Sequence, residues 1–399
     1  MAERIKPVII AGAGPVGLTA ARLLQEQGIP FLVLEADTRL ADDLRASTFH
    51  PPSLDMLDRL GAAQPLIAQG LITPTWQIRI HPGGERVVFD LGTIADDTGH
   101  PYRLQCKQST LCRILMAQIV ERGGRVAMGM KVIAAEQDAD GVRVTAEDAA
   151  GESRTVEGSF LIGADGGRST VRGMVATAFE GKTYPETTIL ATTRFPFDQH
   201  LEGLSNVNYV WKEGGTFSLM RLPDLWRCSL YPDAGESIEE ATQPENVERK
   251  LQQIVPTGQP YVVEEIRPYR IHMRIVDRYR NGRIVLAGDA AHLNSPSGGM
   301  GMNGGIHDAH ELVATLADIA NGGSLDLLDR YVRRRRPIAE QEILVQADRN
   351  RARMQERAPA RRLEMLRELQ RIAGDRDKAR EHLLRTSMIT GLRQAAAIA

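Results

Sequence analysis

The alternation of apolar and polar positions already divides the chain into elements. Residues 6–11 form an apolar run cut short by a glycine turn, residues 18–27 carry helical spacing up to Gly28, and Phe31-Leu32-Val33-Leu34 reads as a second buried strand closed by Glu35. This succession predicts a βαβ unit at the start of the chain. Pro51-Pro52 opens a further helix, with Gly61 to cap it after Leu60. Residues 76–90 alternate as strands do. Residues 108–121 predict a helix with Leu111, Ile114, Leu115 and Ile119 on one face and Gly123-Gly124 after it. Several short strands follow up to Ile162, with turns at Asp140-Gly141 and Ala150-Gly151. The stretch 181–270, rich in Thr, Tyr, Trp and Phe in short alternating runs, predicts a mostly β second unit. Residues 284–287 form another buried strand, and a helix is expected to begin near Asn303.

From Leu325 onward the pattern is helical and increasingly charged, with four consecutive arginines at 333–336. Glu340, Glu342, Glu356, Glu364 and Glu368 are interleaved, so a solvated helical face is expected rather than an anion-binding tail. The last dozen residues are expected to fray.

Bulk properties narrow the class. At 399 residues with a net charge of -2, the chain is long enough for two or more packed units and has no charge excess that would suit nucleic acid. Cys106, Cys112 and Cys228 form no metal spacing and no CxxC pair, which suits a reducing compartment and buried apolar thiols. The opening MAERIKPVIIAGAG has neither the length nor the flanks of a signal peptide, and no run reaches the roughly 18 apolar residues of a membrane helix. A cytoplasmic protein with no membrane partner is expected.

Three separated signatures carry chemistry. The first is Gly12-Ala13-Gly14-Pro15-Val16-Gly17 between strand and helix. There Gly12 permits a tight turn, Gly14 lets a pyrophosphate approach backbone N–H groups at a helix start, and Gly17 lets that helix pack on the sheet. Glu35, 18 residues beyond Gly17, stands where an acid accepts hydrogen bonds from a ribose. The turn alone does not separate NAD from FAD. The second signature is Gly163-Ala164-Asp165-Gly166-Gly167-Arg168-Ser169, and the third is Gly288-Asp289-Ala290-Ala291-His292. Asp165 and Asp289 each follow a strand, where a carboxylate can reach ribityl or ribose hydroxyls or can equally cap a helix. Beyond the third, Pro296 to Asn303 offers backbone donors ahead of a helix, a nest that favours negative charge.

GAGPVG with Glu35, GADGGRSTVR and GRIVLAGDAAH…P…GGMGMNGG together resemble the three fingerprints of the class A flavoprotein monooxygenases, the aromatic hydroxylases related to p-hydroxybenzoate hydroxylase and phenol hydroxylase. The match runs in order from about residue 5 to residue 345. It implies a mixed α/β chain: a discontinuous Rossmann-like FAD-binding domain (1–75, 100–180 and 266–345), a β-sheet substrate domain (76–99 and 181–265) and a C-terminal helical segment (346–399). Only a helical tail is expected after about residue 346, in place of the thioredoxin-like domain of larger relatives. FAD is expected to bind non-covalently, with NAD(P)H as a transient co-substrate and, at family level, a homodimer.

By the matching motifs, the resemblance assigns FAD contacts to Gly12, Gly14, Pro15, Val16, Gly17, Glu35 and Ala36. It adds Arg45 and Gln108 at the phosphate and ribityl region, Val132 at the adenine, Asp165, and Asp289 at the ribityl chain. Pro296, Gly299, Met300, Gly301, Met302 and Asn303 would lie along the ring. The reaction implied is hydroxylation of an activated phenol- or pyridinol-type ring by O2 through a flavin C4a-hydroperoxide. A reductase, oxidase or halogenase on the same fold, or a non-catalytic FAD-binding protein, are the alternatives. Trp76, Trp211 and Trp226 make no WxWxI motif, which counts against the halogenase.

No Ser–His–Asp set, HExxH or metal cluster is present, and the cofactor would carry the chemistry. Candidate substrate contacts are Tyr209, Trp211, Phe217 and Arg221; the catalytic candidates are Arg221 and, near the flavin, His50 and Pro296. For the three aromatics, ordinary sheet packing competes with that role. Arg221 needs an anionic partner, which a substrate or a structural carboxylate could supply. His50 is either a base for a phenol or a loop residue. His292 is read as structural, and His272 and His307 give no argument either way.

Overall fold

The computed structural model describes residues 6–42, 44 and 46–399; Arg45 therefore lies outside the described residues. The βαβ start is present as Val8–Ala11, the helix Pro15–Glu26 and Phe31–Glu35. Val8–Ala11 is buried on both faces, as the central strand of a covered parallel sheet must be. It pairs in parallel with Phe31–Glu35 on one side and with Phe160–Gly163 on the other. The six-stranded sheet is completed by Arg125–Met128 at one edge and by Ile284–Leu286 and Arg280–Asn281 at the other. Strands far apart in sequence thus end side by side, and Gly163 stands in register with Leu286. The second and third fingerprints start from those two neighbouring strand ends.

The long helix Met300–Ala320 crosses Pro15–Glu26 at very close range. A Cβ on Gly305 would stand 2.5 Å from the Val16 side chain and 3.1 Å from the Gly288 Cα, so the crossing needs both glycines. The helix begins at Met300, three residues before the expected Asn303, because Gly298 and Gly299 at φ +99° and +69° form the turn that launches it.

The stretch rich in Thr and aromatics folds into an eight-stranded sheet. Its long strands, Phe179–Thr193 and Val263–Val276, pair antiparallel and run back toward the first sheet. One face is covered by Ile238–Ala241 and Pro244–Gln252, packing Val247 and Leu251 on Val210, Phe217 and Leu219. The other face is shared between a cavity and the C-terminal helices, whose Leu366, Leu369 and Leu383 join Trp76, Val207 and Trp211.

That C-terminal packing corrects two expectations. The basic run is not uniformly solvated. Arg335 is buried and its Nε donates to Asp308 Oδ1 at 2.7 Å, while Arg362 donates to the carbonyls of Glu356, Lys212 and Gly215. Nor do the last dozen residues fray. Ile389–Ala396 is a helix with Ile389, Gly391 and Ala395 buried, Arg393 pairs with Asp97, and Arg334 holds the Ile398 carbonyl at 2.7 Å. Charge periodicity missed this because most of these partners, Asp308, Lys212, Gly215 and Asp97 among them, lie far away in sequence. Among the described residues, no helix is long and apolar enough to cross a membrane.

Candidate functional site

A cavity of about 650 Å³ runs from the C-terminal ends of the parallel strands to the face of the eight-stranded sheet. Ligands of open α/β sheets bind outside those strand ends. Of the described residues assigned to the cofactor, all but Gly17 and Asn303 line it.

At the phosphate turn each glycine meets a different constraint. A Cβ on Gly12 would lie 2.4 Å from the Ala164 carbonyl oxygen, and one on Gly17 would lie 2.0 Å from the Gly12 carbonyl oxygen. Gly17 therefore packs helix on turn, behind the wall. Gly14 differs: a Cβ there would meet no protein atom within 4 Å. The open space stands beside the first N–H groups of Pro15–Glu26, the positive end of that helix, where a phosphate is favoured. Glu35 closes this end. Its Oε2 accepts from the Ala13 N–H at 2.5 Å and its Oε1 from the Asp37 N–H at 2.9 Å.

The second and third fingerprints meet here. Arg172 bridges them, donating to the Gly167 carbonyl at 2.8 Å and the Ala290 carbonyl at 3.3 Å. Asp165 lines the cavity, yet its carboxylate also accepts from Ser169 Oγ and from the N–H groups of Thr170 and Val171. It therefore braces the turn that leads into the short helix Arg172–Val175 and is not that helix's N-cap, which is Val171. Asp289 is set by the residues beneath it. Asp308 Oδ2 accepts from the Gly288 N–H at 3.0 Å and meets His292 Nε2 at 2.8 Å, while Oδ1 receives Arg335. The Arg335 charge, with the hydrogen bond to His292, holds the Asp308 carboxyl far below its usual range despite complete burial. His292, in the short strand His292–Leu293, thus serves the buried cluster, which agrees with its structural reading.

His50 departs from one of its two readings. It is buried outside the cavity wall, its Nε2 donates to the Gly298 carbonyl at 2.7 Å, and burial holds it neutral with its pKa lowered to about 3. Asn303, also behind the wall, donates to the Thr48 and Gly299 carbonyls and accepts from the His50 N–H at 2.9 Å. These two side chains pin the glycine turn against the Thr48–Phe49 strand. They shape the ring end of the cavity without entering it.

On the sheet side the candidates separate. Tyr209 lines the cavity. Phe217 borders it, but its ring packs in the opposite core with Val210 and Leu219. Trp211 does not reach the cavity: it is fully buried under the C-terminal helices, donating from Nε1 to the Arg353 carbonyl at 3.0 Å. Arg221 is also outside it, paired with Asp198 at 2.8 Å and lying over the Trp226 ring. The structural carboxylate is the partner its strand position required.

The wall includes residues the sequence reading passed over, notably Arg227, Ser229 and Tyr231, with Tyr269 and Met354. Their signal was available. Arg227, Ser229 and Tyr231 alternate strictly with Trp226, Cys228 and Leu230, which pack into the core on the other face.

The chain matches the FAD binding domain family over residues 6–346. It is 36% identical to a 6-hydroxy-3-succinoylpyridine 3-monooxygenase of Pseudomonas putida, over 82% of this chain and 84% of that protein. To a para-nitrophenol 4-monooxygenase of a Pseudomonas species it is 33% identical, over 98% of both. The crystal structure of a p-nitrophenol 4-monooxygenase from Pseudomonas putida superposes with a TM-score of 0.89 at 30% identity, covering 97% of this chain and 98% of that one. The chain belongs to the class A flavoprotein monooxygenases. It is an FAD-dependent aromatic monooxygenase, and the open space at Gly14, the joined fingerprints and the donor-rich turn before Met300 fit the cofactor that membership requires.

Proposed function

We propose that this monooxygenase hydroxylates a ring already bearing a hydroxyl, a phenol or pyridinol, using O2 and NAD(P)H. One observation carries the proposal. The cavity does not end at the nucleotide but continues past Pro296 to Met302 onto a sheet face of tyrosines, serines and one arginine. The names of two relatives, a nitrophenol and a hydroxypyridine monooxygenase, describe rings of the same kind.

Bound FAD would supply electron transfer from NAD(P)H to O2 and delivery of one oxygen atom. The residues proposed to hold it are the cavity-lining ones named above, Gly14 and Glu35 at the adenosine side and Asp289 and Pro296 to Met302 toward the ring. The protein's own work is orientation and dryness. Tyr231 has its hydroxyl pushed well above the usual range by burial, so at neutral pH it donates a hydrogen bond and does not ionise. Arg227, which also donates to Ser47 Oγ at 3.4 Å, places a cation on the same wall, where it favours a substrate oxygen as phenolate. Tyr209 offers a flat ring against which the aromatic can stack.

The same reading puts the enzyme in the cytoplasm, where its three buried thiols stay reduced and NAD(P)H is at hand. The family-level homodimer is checked by light scattering. The function is tested by supplying the FAD-loaded protein with NADH or NADPH and a panel of phenols and pyridinols under 18O2. A hydroxylated product carrying one labelled oxygen per nicotinamide oxidised is expected. Peroxide with no product from any ring would instead favour an oxidase.

A further inference from the structure

Beyond the aromatic chamber lies a second, smaller cavity of about 20 Å³, and Tyr209 and Met354 line both. Its wall also carries Arg103, Arg353, Trp76 and Asn350. Arg103 is only 3% exposed. It lies 5.1 Å over the Trp76 ring, shares the recess wall with Tyr209, and its Nε has no partner. Arg353 is half-buried across the same recess. Among the described residues neither guanidinium forms an ion pair. Glu368 acts on Arg353 only at a distance, from the exposed face of Pro359–Ala373.

The remaining titratable neighbours do not offset this charge. His382 is stacked on Phe89 at 4.6 Å and on Trp76 at 6.0 Å, and burial together with the arginine charges holds it neutral. His50, also neutral, feels Arg103 in the same way. A buried cation without a counter-charge is costly, and a cation–π contact offsets only part of that cost. The position invites an anion.

We propose that the aromatic chamber opens past Tyr209 into this recess, and that Arg103 and Arg353 bind an anionic substituent of the substrate ring, a carboxylate or a group of like charge. The inference rests on the hydroxylase reading and adds its substrate class: a phenol or pyridinol carrying a second, ionised group remote from the hydroxyl. At about 20 Å³ the recess is about the size of one water molecule. Tyr209 or Met354 must therefore shift as the substituent enters, and Tyr209 would move from beside Arg103 to stack on the ring.

The test is equilibrium binding to the FAD-loaded enzyme, read by calorimetry and by tryptophan emission, since Trp76 lies under Arg103. The probes are 4-hydroxybenzoate and its uncharged near-isostere 4-hydroxyacetophenone, with sodium chloride as the free-anion arm. The wild type should favour the ionised probe by roughly tenfold or more, as befits hydrogen bonds to a charged group. Arg103→Met, which removes the buried charge without leaving another unpaired, and separately Arg353→Gln should each erase that preference while leaving 4-hydroxyacetophenone binding in place. Equal affinity for the two probes in the wild type, or an unchanged ratio in both variants, would overturn the inference. A tryptophan response to chloride with no preference between the probes would assign the recess to a free anion and overturn it too. Failure of the hydroxylase reading would show separately, as absent product under 18O2, whatever the binding ratio.

Discussion

At the nucleotide end of the cavity, a single added Cβ on Gly17 would run into the Gly12 carbonyl, and Val16 touches both Gly288 and Gly305. At the sheet end, by contrast, Tyr209, Ser229 and Tyr231 project from a regular β face whose opposite side holds the core. In the proposed function the first region would recognise its ligand through backbone, where geometry leaves room for few side chains. The second would recognise through side chains on a scaffold set by other residues, so its chemistry could change while the fold stays. That is the physical sense in which one flavin fold can serve many aromatic substrates.

The sharpest way to break the comparison is to attack the support beneath the nucleotide end. Asp308 joins Gly288, His292 and Arg335 in a fully buried cluster. Asp308→Ala leaves the Arg335 charge buried and unpaired, which costs about 3–5 kcal/mol. It should appear as a large drop in the denaturant midpoint, with flavin released before unfolding. A loss below about 1 kcal/mol would mean that the cluster positions nothing.

Acid should act next, and at both ends. His50 at the ring turn and His382 behind the substrate sheet have pKa values lowered from 6.5 to about 3 and about 4. The unfolded chain binds their protons below about pH 6.5 and the folded chain does not. Stability is therefore complete above that pH and falls as pH drops toward the folded values, by up to about 1.4 kcal/mol per pH unit for each group. Denaturation midpoints measured between pH 7.5 and 4.5 should fall well before carboxylates titrate. His382→Phe, which keeps the stack on Phe89, should flatten that slope. An unchanged slope would show that His382 does not contribute.

The legible and illegible parts of the molecule divide along the same line. The GxGxxG turn, Glu35 and the three fingerprints could be read because backbone recognition demands glycine at set spacings, and spacing is what a sequence displays. Their meeting at Arg172 could be expected only through resemblance, since the strands that bring them together lie more than a hundred residues apart. Trp211 and Tyr209 share one face of one strand, and nothing local tells them apart; the helix end at Arg353 covers one and leaves the other open. Arg221 posed the same difficulty, because its partner Asp198 is set by tertiary packing, where periodicity has no information. Arg227 did not, since alternation with Trp226 and Cys228 put it on the cavity face. Arg335 and Arg362 were misjudged for the same reason as Arg221.

Within the nucleotide end, two glycines three residues apart should behave oppositely. Gly17→Ala forces a shift against backbone and should cost about 1–3 kcal/mol, as overpacked sites do. Gly14 has ordinary dihedrals, φ −73° and ψ −178°, and free space beside it, so Gly14→Ala should leave the flavin-free protein as stable as before. Its methyl group would occupy the room proposed for a phosphate, so flavin affinity should fall. Melting curves with and without FAD separate the two effects. A Gly14→Ala protein that retained flavin fully would place the phosphate elsewhere.

The smallest expected effect is at the sheet end, at an arginine that looked functional. Arg221 and Asp198 form a bridge with side chains 41% and 33% exposed, so water screens most of their attraction. Exposed pairs of this kind contribute roughly 0.2–1 kcal/mol. Arg221→Ala should therefore lower the melting temperature only slightly and leave kcat and KM for the hydroxylated ring unchanged, because the side chain points away from the cavity toward Trp226. Tyr209→Ala, on the same sheet but inside the wall, should raise KM. A substrate-dependent loss from Arg221→Ala would mean that the substrate reaches the far side of the strand, and the division of this face into cavity and packing would have to be redrawn.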